Sequence, residues 1–279
     1  MDILRTKKLS ESETIANLNS TEQSNIVTRF IGVISGKGGV GKTTFVSNVS
    51  TILSQYFGRD VTIIDCNLTT SHLGLYMGIF FTPITLNDVL KGEATLEEAL
   101  YQHPSGVKIV PASLTLSGLE GVDIFDLDKI VKKLEGKTEI VFLDSAPGIG
   151  REAMCAIRAS KEIIFVTTPF LPCITDIIRC KEVVEEVGAK PLGIVLNMVT
   201  NGRGELKKEE VEKLTDLPVL VSIPYDSNIR LSLGLATPLF LIDPRSKASK
   251  ELLKFSASLI GLKYKESLMS RIFSKLKFW

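Results

Sequence analysis

The 279-residue chain has no CxxC pair, no bilayer-length apolar run and no surplus of either charge sign, and each absence removes a class of function. Its four cysteines, Cys66, Cys155, Cys173 and Cys180, are scattered, and the nearest two stand seven positions apart without a matching second pair. That spacing suits neither a disulfide framework nor a zinc site. No stretch approaches the roughly 18 to 20 apolar residues that a membrane-spanning helix needs. The N-terminus lacks the apolar core of a secretory signal, since Lys7 and Lys8 are followed by Ser10, Glu11 and Glu13. Lysine plus arginine number 33 against 32 aspartates and glutamates, so long-range charge steers the protein toward neither nucleic acid nor acidic surfaces. The expectation is a protein of the reducing cytoplasm that meets its partners through local patches.

What is present is a core. With 44% apolar residues, the chain can bury one large domain. Residues 1–28 are polar, show no sustained period and read as a mobile tail. From residue 29 to 262, short runs rich in Val, Ile and Leu alternate with helix-length segments. Strands are predicted at Phe30–Ser35, Val61–Asp65, Val107–Pro111, Glu139–Asp144, Glu162–Thr167, Pro191–Asn197 and Pro218–Ile223. Their near-continuous apolar character is that of strands covered on both faces. Helices are predicted at Thr43–Phe57, Asp176–Val187, Lys207–Leu214 and, as a last core helix, about Lys247–Leu262. Strand, helix, strand repeats of this kind predict an α/β fold: a doubly wound, mostly parallel sheet of about seven strands with helices on both faces.

One motif carries chemistry. After the strand ending at Ser35, the run Gly36-Lys37-Gly38-Gly39-Val40-Gly41-Lys42-Thr43 fits GxxxxGK[ST], and a helix pattern opens at Thr44. Glycines there let the backbone turn tightly enough to aim N–H groups inward, and the helix N-terminus adds partial positive charge. Such a cradle suits a polyphosphate, with Lys42 on the terminal phosphates, the Thr43 hydroxyl on magnesium and Thr44 on the α-phosphate. The predicted strand Glu139–Asp144 ends in a carboxylate where P-loop proteins place the aspartate of the magnesium shell, and Ala146-Pro147-Gly148 can pivot behind it.

Lys37 turns the generic loop into KGGVGKTT over residues 37–44, which resembles the deviant Walker A motif of the MinD and ParA family, MinD of the archaeal kind in particular. The resemblance extends through Val61–Asp65, His72–Leu75, Thr85–Glu93, Asp144–Gly148 and Asn197, and covers roughly residues 29–262. It implies an ATPase that uses ATP and Mg2+ and forms an ATP-dependent homodimer, with Lys37 crossing the interface to touch the partner's phosphates. It also implies that Asn197, with Pro224, Tyr225 and Asp226, meets the adenine, and that Asp65 supports the magnesium site. A relative of the iron–sulfur carriers would need a cysteine pair that is absent. A DNA-partitioning role would need a basic surface, so nucleic acid is not expected as a partner.

The C-terminal segment 263–279 offers a membrane reading. Leu268, Met269, Ile272, Phe273, Leu276 and Trp279 fall within an arc of roughly 140° on a helix, edged by Arg271 and Lys275. An apolar stripe with basic margins is what an interfacial helix over residues 264–279 requires on an anionic membrane surface, and MinD proteins carry a comparable segment. The expected role is a cytoplasmic switch that sits peripherally on the inner face of the membrane and positions or regulates a cargo protein, at the cell division site or by similar spatial control; the alternatives are a scaffold that holds ATP without hydrolysing it and a flagellum-number regulator of the MinD-like type.

One position departs from the family. Its members carry Asp-x-Asp after the second strand, and the second aspartate positions the water that attacks the γ-phosphate; here the run is Asp65-Cys66-Asn67. An amide can accept a hydrogen bond from water but cannot take its proton. Hydrolysis is therefore expected to be slow or partner-dependent, and Asn67→Asp is expected to raise steady-state phosphate release by about 10²- to 10⁴-fold. Equal rates in the two proteins would refute this account of position 67.

Overall fold

The computed structural model describes residues 26–115 and 117–263. The expected amphipathic helix over 264–279, and the expected tail except residues 26–28, lie outside the described residues. Thr28 belongs to the domain: it is buried, and its hydroxyl donates to the Thr138 carbonyl at 2.7 Å.

Eight strands form one sheet in the order β3-β4-β2-β5-β1-β6-β7-β8. They are β1 (Arg29–Ile34), β2 (Val61–Cys66), β3 (Tyr101–Gln102), β4 (Lys108–Val110), β5 (Ile140–Ser145), β6 (Glu162–Thr167), β7 (Lys190–Val199) and β8 (Val219–Pro224). Every pairing is parallel except the short edge pair β3–β4. The seven strands read from the sequence are all present. The eighth, β3, is two residues long and carries no periodic signal of its own.

Parallel strands at the sheet centre are covered on both sides, and β2 and β5 are buried at every position. One face packs against α1 (Lys42–Thr51), which continues as a π-helical turn over Ile52–Tyr56, and against α10, the last described helix, Lys247–Leu259. The opposite face packs against α4 (Leu127–Lys132), α5 (Arg151–Ala159) and α6 (Leu171–Val187). Helix α6 begins five residues before the expected Asp176. Pro172 stands within its first turn, where a missing N–H costs nothing, so the proline that looks like a breaker opens the helix instead. Among the described residues, no helix is long and apolar enough to cross a membrane.

The arrangement matters because β1 lies at the centre of the sheet between β5 and β6, and its C-terminal end runs straight into the glycine loop and α1. Loops after β1, β2 and β5 thus open on one edge, the usual ligand crevice of an open α/β sheet. Helix α1 is fixed from behind by α10, with Phe45 and Phe255 rings 5.2 Å apart at 59°. Phe255→Ala is expected to cost about 3–5 kcal/mol, read as a lowered urea midpoint. An unchanged midpoint would show that α10 does not brace the nucleotide-facing helix.

Candidate functional site

Two glycines of the loop stand where no other residue fits. Gly41 has φ +94° and caps α1, and a Cβ on it would fall 2.3 Å from Asn197 Nδ2. On Gly36 a Cβ would meet the Asp176 Cβ at 2.2 Å. Both spaces are thus taken by polar side chains of other elements. Asn197, buried near the end of β7, donates through Nδ2 to the Val40 carbonyl at 2.8 Å, and so grips the loop from the side. The Gly148 amide behind β5 donates to the Ser35 carbonyl at 2.8 Å. Helix α1 carries no acidic residue in its first turn, so no side chain of its own neutralises the positive end of its dipole.

Lys42 is buried, at 8% exposure, and its Nζ donates to Ser35 Oγ at 2.8 Å, while the same hydroxyl donates to the Lys37 carbonyl at 2.7 Å. Burial lowers the lysine's pKa, and the nearby charge of Asp144, foremost among the opposing influences, holds its proton on. Thr43 Oγ1 donates to Asp144 Oδ2 at 2.6 Å. The other carboxylate oxygen, Asp144 Oδ1, is buried without a hydrogen-bond partner. Thr44 is half-buried in the first turn of α1.

Asp65 and Asp144 are register partners on β2 and β5. Burial, and then each other's proximity in the case of Asp144, raises both carboxyls above their ordinary range. Their surroundings differ. Asp65 Oδ1 accepts from the Asn67 amide at 3.1 Å, and Oδ2 accepts from Ser71 Oγ at 2.7 Å and the Leu73 amide at 3.2 Å. Both its oxygens are thereby engaged in shaping the loop 67–73, whereas Asp144 keeps one unclaimed. The expected metal residues are thus Thr43 and Asp144 in contact, with Asp65 behind them as an organiser of the loop.

The other expected site residues fall as follows. Lys37, about half exposed, pairs with Asp176 of α6 at 3.4 Å. The Asn67 amide is turned onto its own loop, donating to the Thr70 carbonyl at 2.8 Å and accepting from Thr70 Oγ1 at 3.1 Å. Pro224 ends β8 opposite Val199 of β7, and the Asp226 Oδ1 accepts from the Asn228 amide at 2.9 Å. Sequence reasoning missed Ser35 and Asp176. Neither sits in a motif, and Asp176 reaches the loop only because α6 crosses behind it.

A buried carboxylate oxygen with no donor, set beside a threonine hydroxyl and a buried lysine, fits a divalent cation that it would share with phosphate oxygens. Residues 31–235 match the family described as the CobQ/CobB/MinD/ParA nucleotide binding domain. The chain is 33% identical over 241 residues to an uncharacterized ATP-binding protein of Methanocaldococcus jannaschii, covering 86% of this chain and 91% of that one. It is 30% identical to the antiactivator FleN of Pseudomonas aeruginosa, covering 78% of this chain and 81% of FleN. Among solved structures, the septum site-determining protein MinD of Pyrococcus horikoshii, complexed with Mg-ADP, superposes with a TM-score of 0.81 at 34% identity, covering 86% of this chain and all of that one. Fold, loop and these likenesses together make the chain a member of the MinD/ParA family of P-loop nucleotide-binding proteins.

Proposed function

We propose that this protein is an ATP-operated switch. It binds ATP with magnesium in the loop 36–43, pairs with a second copy while ATP is held, and attaches to an anionic membrane surface on the cytoplasmic side through residues 264–279. In that state it positions or regulates a protein partner, for instance at a division site, and it hydrolyses ATP slowly. The observation that carries this reading is Asp144 Oδ1, buried and unpartnered beside Thr43 and Lys42.

The chain's own groups divide the work. Loop amides and the first turn of α1, with Thr44, receive the phosphates. Lys42 exchanges its serine partner for the terminal phosphates, and Thr43 and Asp144 hold magnesium. Asn197, Pro224 and Asp226 border the base. Magnesium, when bound, offsets phosphate charge and polarises the γ-phosphoryl group. Lys37 leaves Asp176 and crosses to the second copy, where it offsets the negative charge that two facing triphosphates bring together. Two copies of the C-terminal segment on one dimer raise the effective concentration at the membrane, which couples attachment to ATP. The names septum site-determining and antiactivator, borne by relatives, support control of another protein. A second reading, a scaffold that holds ATP without turning it over, is favoured by the Asn67 amide, which is committed to Thr70.

Two measurements test the proposal. Asp144→Asn is expected to abolish the magnesium-dependent heat of ATP binding in calorimetry while stabilising the nucleotide-free protein near neutral pH. The sign follows from the raised carboxyl: stability is full below the ordinary carboxylate range, near 4, and is lost as pH rises through about 7. The urea midpoint of the wild type should fall over that window, and that of Asp144→Asn should fall less. Undiminished heat in the variant would refute the magnesium assignment. Flotation with anionic vesicles is expected to bring up the full chain in ATP but not in ADP, and a chain ending at Lys263 in neither. Equal flotation of the two chains in ATP would refute membrane attachment through 264–279.

A further inference from the structure

The loop after β2 is fastened to α5. Thr69 Oγ1 donates to Glu152 Oε1, joining the β2 loop to the helix that follows the β5 loop. Glu152 lies in the first turn of α5, and Cys155 and Ala156, three and four positions on, are buried in the same cluster as Cys66 at the end of β2. Helical spacing puts residues 152, 155 and 156 on one face, so the Glu152 carboxylate stands over the end of β2 beside the loop that carries Asn67. Arg151, next to Glu152, turns away to Asp123 at 3.3 Å, and among the described residues no lysine or arginine forms an ion pair with Glu152. Asn67 itself cannot accept a proton, and its amide is engaged with Thr70.

We infer that Glu152 supplies the carboxylate missing at position 67 and acts as the catalytic base for the slow ATP hydrolysis proposed above, on which this inference rests. The water oxygen forms the new bond to the γ-phosphorus while the bond from that phosphorus to the oxygen bridging the β-phosphate breaks. The electron pair of that bond leaves with ADP. The proton of the water passes to Glu152 and from there to solvent, and the products are ADP and inorganic phosphate. Thr69 donates a hydrogen bond to the carboxylate and takes no part in the proton transfer.

The test compares wild type, E152Q, T69V and N67D/E152Q in single-turnover phosphate release, in calorimetric affinity for a non-hydrolysable ATP analogue with magnesium, and in urea midpoint. The glutamine amide oxygen can still accept from Thr69, so E152Q removes the charge and spares the clasp. E152Q is expected to lose about 10²-fold or more in rate, with analogue affinity and urea midpoint unchanged. T69V is expected to keep most of its rate, and the N67D change is expected to restore turnover in the E152Q background. The inference is overturned if E152Q hydrolyses at the wild-type rate, if its affinity or stability falls in step with its rate, or if T69V loses as much rate as E152Q. Absence of any turnover in wild type would instead overturn the hydrolytic reading and this inference with it. Turnover in wild type matched by E152Q would overturn this inference alone.

Discussion

The interaction on which the rest depends is a lysine ammonium kept almost dry. Lys42 sits behind the glycine loop with one serine hydroxyl as its hydrogen-bond acceptor and with Asp144 and Asp65 close enough to act on it. Burying an ion costs several kcal/mol unless its partners are well placed. Here the partners are themselves strained, because the two carboxylates stand in register on neighbouring strands, burial raises both, and Asp65 raises the proton affinity of Asp144 further. The empty-handed protein therefore holds a cation and two acids in an arrangement that polyphosphate and a divalent ion would complete. Because the lysine is already desolvated, binding does not incur that cost a second time.

The fold makes this possible by putting the site at the end of its most rigid part. Strands β1, β2 and β5 are adjacent, parallel and almost wholly buried, so Ser35 just past β1, and Asp65 and Asp144 next to the last positions of β2 and β5, inherit the sheet's register. The loops between are then tied by single polar contacts: Asn197 to Val40, Gly148 to Ser35, and Asp65 to the 67–73 segment. The core sets where the chemistry is, and a few side chains set which way it faces.

Much of this was legible in the sequence because it is local. The glycine loop, its flanking strand and helix, and the apolar strand ending in Asp144 each declare themselves within about ten residues, as continuous patterns do. What was not legible depends on elements far apart in the chain. Asp176 meets Gly36 and Lys37 from 140 and 139 positions away in the chain only because α6 crosses the loop. Asn197 was read for its amide's fit to a base, and nothing near it in sequence announces that it grips Val40, because that contact arises from β7's place in the sheet. Asp65 looked like a supporting carboxylate, but the bonds that commit both its oxygens come from the fold of the following loop. The early start of α6 was hidden by Pro172, whose meaning reverses between the interior and the first turn of a helix.

The pairing of Lys37 with Asp176 carries a consequence for how two subunits recognise each other. Only the lysine is half exposed, the contact is long at 3.4 Å, and Arg179 stands by as a second partner for the aspartate, so Lys37 can leave at modest cost. While it lasts, however, the lysine's charge is answered from within its own chain, and a second molecule arriving without nucleotide finds little there to attract it. Only a facing surface bearing several unanswered negative charges can outbid the single aspartate, which makes the encounter selective for loaded molecules before any contact has matured.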